Sequence, residues 1–171
     1  MRLFIAIRFT DEIKKELLRS IEQLKSVSEY GNFTSPENLH LTLAFIGETK
    51  RVEDVKRIID AEDVRPFEIK IGKPGVFHRD GGEIRWIGVD AEAELFILAS
   101  DIQSKLCDAG FDIDNREFKP HITLARQVIC PPHTRLEIEK LSMKVESISL
   151  MRSDRIGGKL IYTEIYEKRL G

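Results

Sequence analysis

The chain has 171 residues, of which 42 % are apolar and 33 % charged, and its formal net charge is −2. That length suits one large domain or one domain of two small lobes, and the composition is globular. A globally basic nucleic-acid binder is excluded, so any polyanion site has to be a local patch. No run approaches the ~18 apolar residues of a membrane span, and Met1–Arg8 is too soon charged for a signal peptide, which predicts a cytoplasmic protein with no membrane association. Cys107 and Cys130 stand in no metal or redox spacing; they read as thiols in a reducing compartment, with a single disulfide left open.

Leu3 to Phe9 is apolar and β-rich, and predicts a strand. Thr10 is a natural N-cap, with Asp11 and Glu12 where the helix dipole favours them. Ile13, Leu17, Leu18, Ile21, Leu24 and Val27 then recur at helical spacing. Gly31 breaks that pattern and Pro36 keeps the following segment extended. A strand from Asn38 to Ile46 follows, then a helix over about Val52–Ile59 and a strand over Phe67–Ile71. Residues 73–82, with Pro74, Gly75, Gly81 and Gly82, read as a turn-rich junction.

The order then restarts. Ile84–Val89 predicts a strand, Ala91–Ala109 a helix ended by Gly110, and the segment after Pro120 another strand. A short helix around Arg135–Leu141, a strand over Val145–Met151, a turn at Gly157–Gly158 and a closing strand over Lys159–Tyr166 complete the chain.

Two strands stand out, each built on His-x-Thr-x with an apolar residue at both x positions: His40-Leu41-Thr42-Leu43 and His121-Ile122-Thr123-Leu124. On a strand, residues two apart share a face. His40 and Thr42 therefore point one way while Leu41 and Leu43 point into core, and likewise in the second copy. The motifs are 81 residues apart, and the same offset carries Leu3 onto Ile84, Leu17 onto Leu98 and Ile21 onto Ile102. A strand–helix–strand–helix–strand unit used twice is the simplest reading of this register. The chain is then one domain over 1–171, its halves 1–80 and 83–171 interleaving at a cleft. A pseudo-twofold axis would bring the motif strands to face each other there.

Histidine, with an unperturbed pKa of about 6.5, can act as base or acid near neutrality. Two imidazoles on opposite sides of a phosphate can divide the work, one taking a proton from the attacking oxygen and the other giving one to the departing oxygen. Thr42 and Thr123 would orient the phosphate. This chemistry calls for no metal or cofactor, and no ligand-spaced cluster is visible. His78 and His133 lack the Thr partner and read as surface residues.

Positive residues gather near the second motif: Arg116, Lys119, Arg126, then Arg152 and Arg155. Any of them could hold phosphates of an RNA chain, with a solvated rim as the alternative. By strict alternation Arg126 lies on the face of Ile122 and Leu124, away from His121. It reaches the cleft only if the strand ends, twists or bulges at Ala125. Phe45 shares Leu41's face by the same count and reads as core. Trp86 could stack on a base, although an inner-strand tryptophan is more often core.

The paired His-x-Thr-x strands resemble the signature of the two-histidine (2H) phosphoesterase superfamily. Arg2-Leu3-Phe4-Ile5-Ala6-Ile7, Asn38–Leu43 with Gly47, and Phe118–Arg126 resemble one branch of it, the bacterial and archaeal RNA 2′,3′-cyclic phosphodiesterases, also described as 2′–5′ RNA ligases. The resemblance spans essentially the whole chain. It implies an α+β fold of two lobes, with antiparallel sheets flanking an open cleft. It also implies hydrolysis of a 2′,3′-cyclic phosphate at an RNA end to a 2′-phosphate. On this likeness His40 is the proton donor to the leaving 3′ oxygen, His121 the base, Thr42 and Thr123 phosphate contacts, and Arg126 the arginine that follows the second motif. The expected partner is RNA with a cyclic phosphate end, and the expected state a monomer; no residue points to tRNA fragments in particular. Two other readings stay open: ATP-independent 2′–5′ ligation at the same site, and a non-catalytic nucleotide- or RNA-binding module.

Overall fold

The computed structural model describes residues 1–114 and 116–171. The elements run β1 (Arg2–Ile7), α1 (Asp11–Val27), β2 (Tyr30–Phe33), a 3₁₀ turn (Pro36–Asn38), β3 (Leu41–Glu48), α2 (Val52–Asp60), β4 (Phe67–Arg79), β5 (Gly82–Ala91), α3 (Ala93–Asp108), β6 (His121–Ile129), β7 (Leu141–Val145), β8 (Ser147–Ile156) and β9 (Lys159–Arg169). Helix α1 starts as its sequence dictates: the Thr10 hydroxyl accepts the Ile13 N–H at 3.4 Å. It buries Ile13, Leu17, Ile21 and Leu24, each contributing roughly 1.5–3 kcal/mol of gross burial. Helix α3 buries Leu95, Leu98, Ala99, Ile102 and Leu106 in the same way.

Two antiparallel sheets carry these helices, in the orders β3-β1-β8-β9 and β2-β6-β5-β4-β7. Each sheet begins its shared pattern with a motif strand and the strand that opens the same half: β3 beside β1, β6 beside β5. The third place is exchanged. Strand β8 from the second half pairs with β1, and β4 from the first half pairs with β5. The α+β fold with two related lobes is thus present, and both halves of the chain contribute to both sheets. Leu3, Ile5 and Ile7 of β1, with Leu41, Ile122 and Leu124, are buried in the core. The opposite faces of the same strands carry the motif residues.

Four local readings are corrected. No helix forms over 135–141. This segment reaches β7 without regular secondary structure, and α1 supplies partners for its backbone: Arg19 and Ser20 donate to the Glu137 carbonyl, the Glu137 N–H donates to Gln23, and the Glu139 N–H to Glu16. Residues 73–82 are not a junction but the outer part of a long hairpin, with β4 paired to β5 through Arg79 and Gly82. Gly75 has a specific task there, since an added Cβ would lie 2.1 Å from the Trp86 ring. Val145–Met151 is not one strand; β7 ends at Val145 in one sheet and β8 starts at Ser147 in the other. Phe45 is not core but 62 % exposed.

Candidate active site

Both motif strands break their alternation at equivalent places. Along β3, Ala6 pairs with Thr42 and Ile5 with Ala44, so Leu43 is an extra residue. Along β6, Trp86 pairs with Thr123 and Arg85 with Ala125, so Leu124 is extra. Such bulges shift the phase of all that follows. Leu43 and Ala44 are both buried, as are Leu124 and Ala125. Phe45 and Arg126, the next residue of each copy, therefore return to the histidine face. The condition under which Arg126 joins His121 is met, and the same device explains why Phe45 leaves the core.

Each imidazole is latched alike. His40 Nδ1 lies 2.6 Å from the Asn38 carbonyl and His121 Nδ1 lies 2.7 Å from the Lys119 carbonyl. A carbonyl only accepts, so Nδ1 carries the proton and the lone pair of each neutral ring sits on Nε2. His40 Nε2 meets Thr42 Oγ1 at 2.8 Å. Aromatic rings hold both: Phe4 and Tyr162 lie 4.9 and 5.1 Å from His40, Phe77 and Trp86 lie 5.7 and 6.0 Å from His121. Trp86 is half-buried on the site face rather than sealed in the core.

The two motif faces meet electrostatically. Strands β3 and β6 approach within 8 Å between Cα atoms, and the Arg126 guanidinium acts on His40 from across the cleft. Burial is the main cause holding the His40 imidazole below the usual histidine range; its bond to Asn38 opposes this, and Arg126 adds to it. Burial pushes the Tyr162 hydroxyl up, while Arg126, Arg2 and Arg155 pull it down. A half-buried ring pair facing this much positive charge is arranged for an anion.

A family model described as the 2′-5′ RNA ligase superfamily matches residues 10–157. The chain belongs to that superfamily. Among similar curated proteins are the RNA 2′,3′-cyclic phosphodiesterase of Archaeoglobus fulgidus, 35 % identical over 74 % of this chain and 72 % of that protein, and that of Methanothermobacter thermautotrophicus, 30 % identical over 99 % of both. Among solved structures, E. coli LigT complexed with 3′-AMP superposes with a TM-score of 0.88 at 27 % identity, covering 99 % of this chain and 97 % of that one.

In this 2′-5′ RNA ligase superfamily member the remaining sequence candidates divide. Lys119 is exposed and gives its carbonyl to His121. Arg152 is held by Asp154 at 2.7 Å, and Arg116 by Asp114. Arg155 is exposed and donates to the Gly158 carbonyl at 3.3 Å. His78 pairs with Glu83 at the surface, and His133 is exposed. On the His40 side three contributors escaped sequence reasoning. Asn38 is buried, donates from Nδ2 to the Leu160 carbonyl at 2.8 Å and accepts the Tyr162 N–H at 3.3 Å. It thereby fastens to β9 the carbonyl that orients His40. Phe4 and Tyr162 form the wall behind that ring. A buried amide two residues before a motif histidine was a usable signal; Tyr162, more than a hundred residues away, gave none.

Proposed function

We propose that the chain is an RNA 2′,3′-cyclic phosphodiesterase working without a metal, with His40 and His121 as its catalytic pair. The reading rests on one observation above all: two imidazoles from separate halves, each with Nδ1 committed to a backbone carbonyl, which puts the lone pair on Nε2; in His40 that Nε2 meets the hydroxyl of Thr42, the residue assigned to the phosphate. His121 Nε2 takes a proton from water as its oxygen attacks phosphorus. The bond from phosphorus to the 3′ oxygen breaks, and that oxygen receives the proton of His40 Nε2, leaving a 2′-phosphate. Thr42 and Thr123 donate to non-bridging oxygens, and Arg126 balances their charge. A depressed His40 pKa fits a donor that loads its proton when the anionic phosphate arrives, since a nearby negative charge favours imidazolium.

The names borne by the relatives support the same substrate class. The test is an RNA oligomer ending in a 2′,3′-cyclic phosphate, incubated with wild type, His40→Ala and His121→Ala. Each variant should lose roughly 10²–10⁴ in rate, and wild type should keep full turnover in chelator. Loss of turnover on chelation, or an active histidine variant, would overturn the mechanism.

A further inference from the structure

The His40 side of the site does not end at Phe4 and Tyr162. A groove of about 490 Å³ continues from them along the exposed face of the four-stranded sheet, past Phe45 and Leu160 to Arg2 and Arg155. Its aromatic wall is continuous with the histidine: Phe45 lies 6.0 Å from Phe4, and Phe4 lies 4.9 Å from His40. Phe45 is 62 % and Leu160 39 % exposed, and both line this one groove, which makes them a contiguous apolar patch.

The charges in the groove are unevenly matched. Glu48 is paired with the terminal amine of Met1, and Asp154 with Arg152. Among the described residues neither Arg2 nor Arg155 is paired with a carboxylate, and both act on the Tyr162 hydroxyl. The groove thus presents stacking surface with two uncompensated guanidinium groups, the combination that binds single-stranded nucleic acid. The second half offers no copy of it, because the residue 81 positions after Phe45 is Arg126. One bulge presents a guanidinium for the reacting phosphate; its twin presents a ring.

We propose that this groove is a subsite for the RNA strand upstream of the reacting end, with Phe45 stacking on a base and Arg2 and Arg155 holding backbone phosphate. This rests on the cyclic phosphodiesterase reading, in which the terminal ribose is the leaving side and lies towards His40. The enzyme is then built for an oligonucleotide, and a mononucleoside cyclic phosphate fills only part of the site.

The experiment compares a 12-mer ending in a 2′,3′-cyclic phosphate with uridine 2′,3′-cyclic phosphate, using wild type, Phe45→Ala, Arg155→Gln and the Arg2→Gln/Arg155→Gln pair. Phe45 and both arginines are exposed, so the substitutions remove nothing from the core. For Phe45→Ala, kcat/KM on the 12-mer should fall about tenfold more than on the mononucleotide. For the arginine variants, the slope of log affinity against log salt for the 12-mer should drop by about 0.7 for each phosphate that is no longer neutralised. Equal losses on both substrates, or an unchanged 12-mer rate and salt slope, would overturn the proposal. Binding of a fluorescent 12-mer with a 2′-phosphate end, followed by anisotropy, separates the two ideas. If wild type hydrolyses neither substrate, the catalytic reading fails, while the groove still stands or falls on whether these variants weaken that binding.

Discussion

Replacing Gly75 by alanine puts a methyl group where the Trp86 ring lies. The new Cβ would sit 2.1 Å from Cζ2 and 2.2 Å from Cη2 of that ring. Carbon atoms prefer about 3.5–4.0 Å, so the indole has to retreat by roughly 1.4 Å or more. It cannot do so alone. Its ring centroid lies 5.1 Å from Phe77 and 6.0 Å from His121. Overpacking of this kind costs about 1–3 kcal/mol, and in a chain of this length each kcal/mol lowers Tm by roughly 2–4 °C. A melting point lower by on the order of 5 °C follows. The larger effect is on rate, because a displacement of about 1 Å at a catalytic group costs on the order of 10²-fold. Trp86 is the sole tryptophan, so intrinsic fluorescence reports its environment directly. The expected result is a shifted emission maximum, a lower Tm and a strongly reduced kcat on a cyclic-phosphate RNA. Unaltered emission with kcat within twofold of wild type would refute the argument that Gly75 seats Trp86 and that Trp86 supports His121.

Three other changes probe the His40 side. Asn38→Ala removes two hydrogen bonds to β9 and should cost about 2–3 kcal/mol in urea denaturation, with kcat falling more than KM rises; wild-type stability would show that the amide does not brace the motif. Arg126→Gln removes a charge that depresses His40, so the His40 titration followed by NMR should move to higher pH, and an unmoved curve would place the guanidinium elsewhere. The third change concerns stability against pH. The folded pKa of His40 lies below its unfolded value of about 6.5. As pH falls through that value the unfolded chain takes up the proton first, so His40's share of stability is complete above pH ~6.5 and lost below it. His40→Gln should accordingly lose less stability than wild type between pH 7.5 and 5.5; parallel curves would contradict the burial of the neutral ring.

The sequence by itself determined the two motif strands, the placing of each histidine on one face with its threonine, and helices α1, α2 and α3. These are local matters: side-chain period, an N-cap at Thr10 and Gly110 closing α3 are written in adjacent residues. Tertiary structure alone decided what joins the histidines. The bulges at Leu43 and Leu124 place Phe45 and Arg126 on the histidine face, yet leucine followed by alanine carries no signal for an extra residue in a ladder. The phase of a strand beyond a bulge is set by the neighbour it pairs with. Residues 135–140 form no helix because Glu16, Arg19, Ser20 and Gln23 of α1 take the backbone groups of Glu137 and Glu139, an arrangement made across more than a hundred positions. The exchange of β4 and β8 between sheets has the same character. A hydrogen-bonding edge does not record which strand will cover it, so the walls of the cleft, and the burial that lowers His40, exist only once the chain has closed.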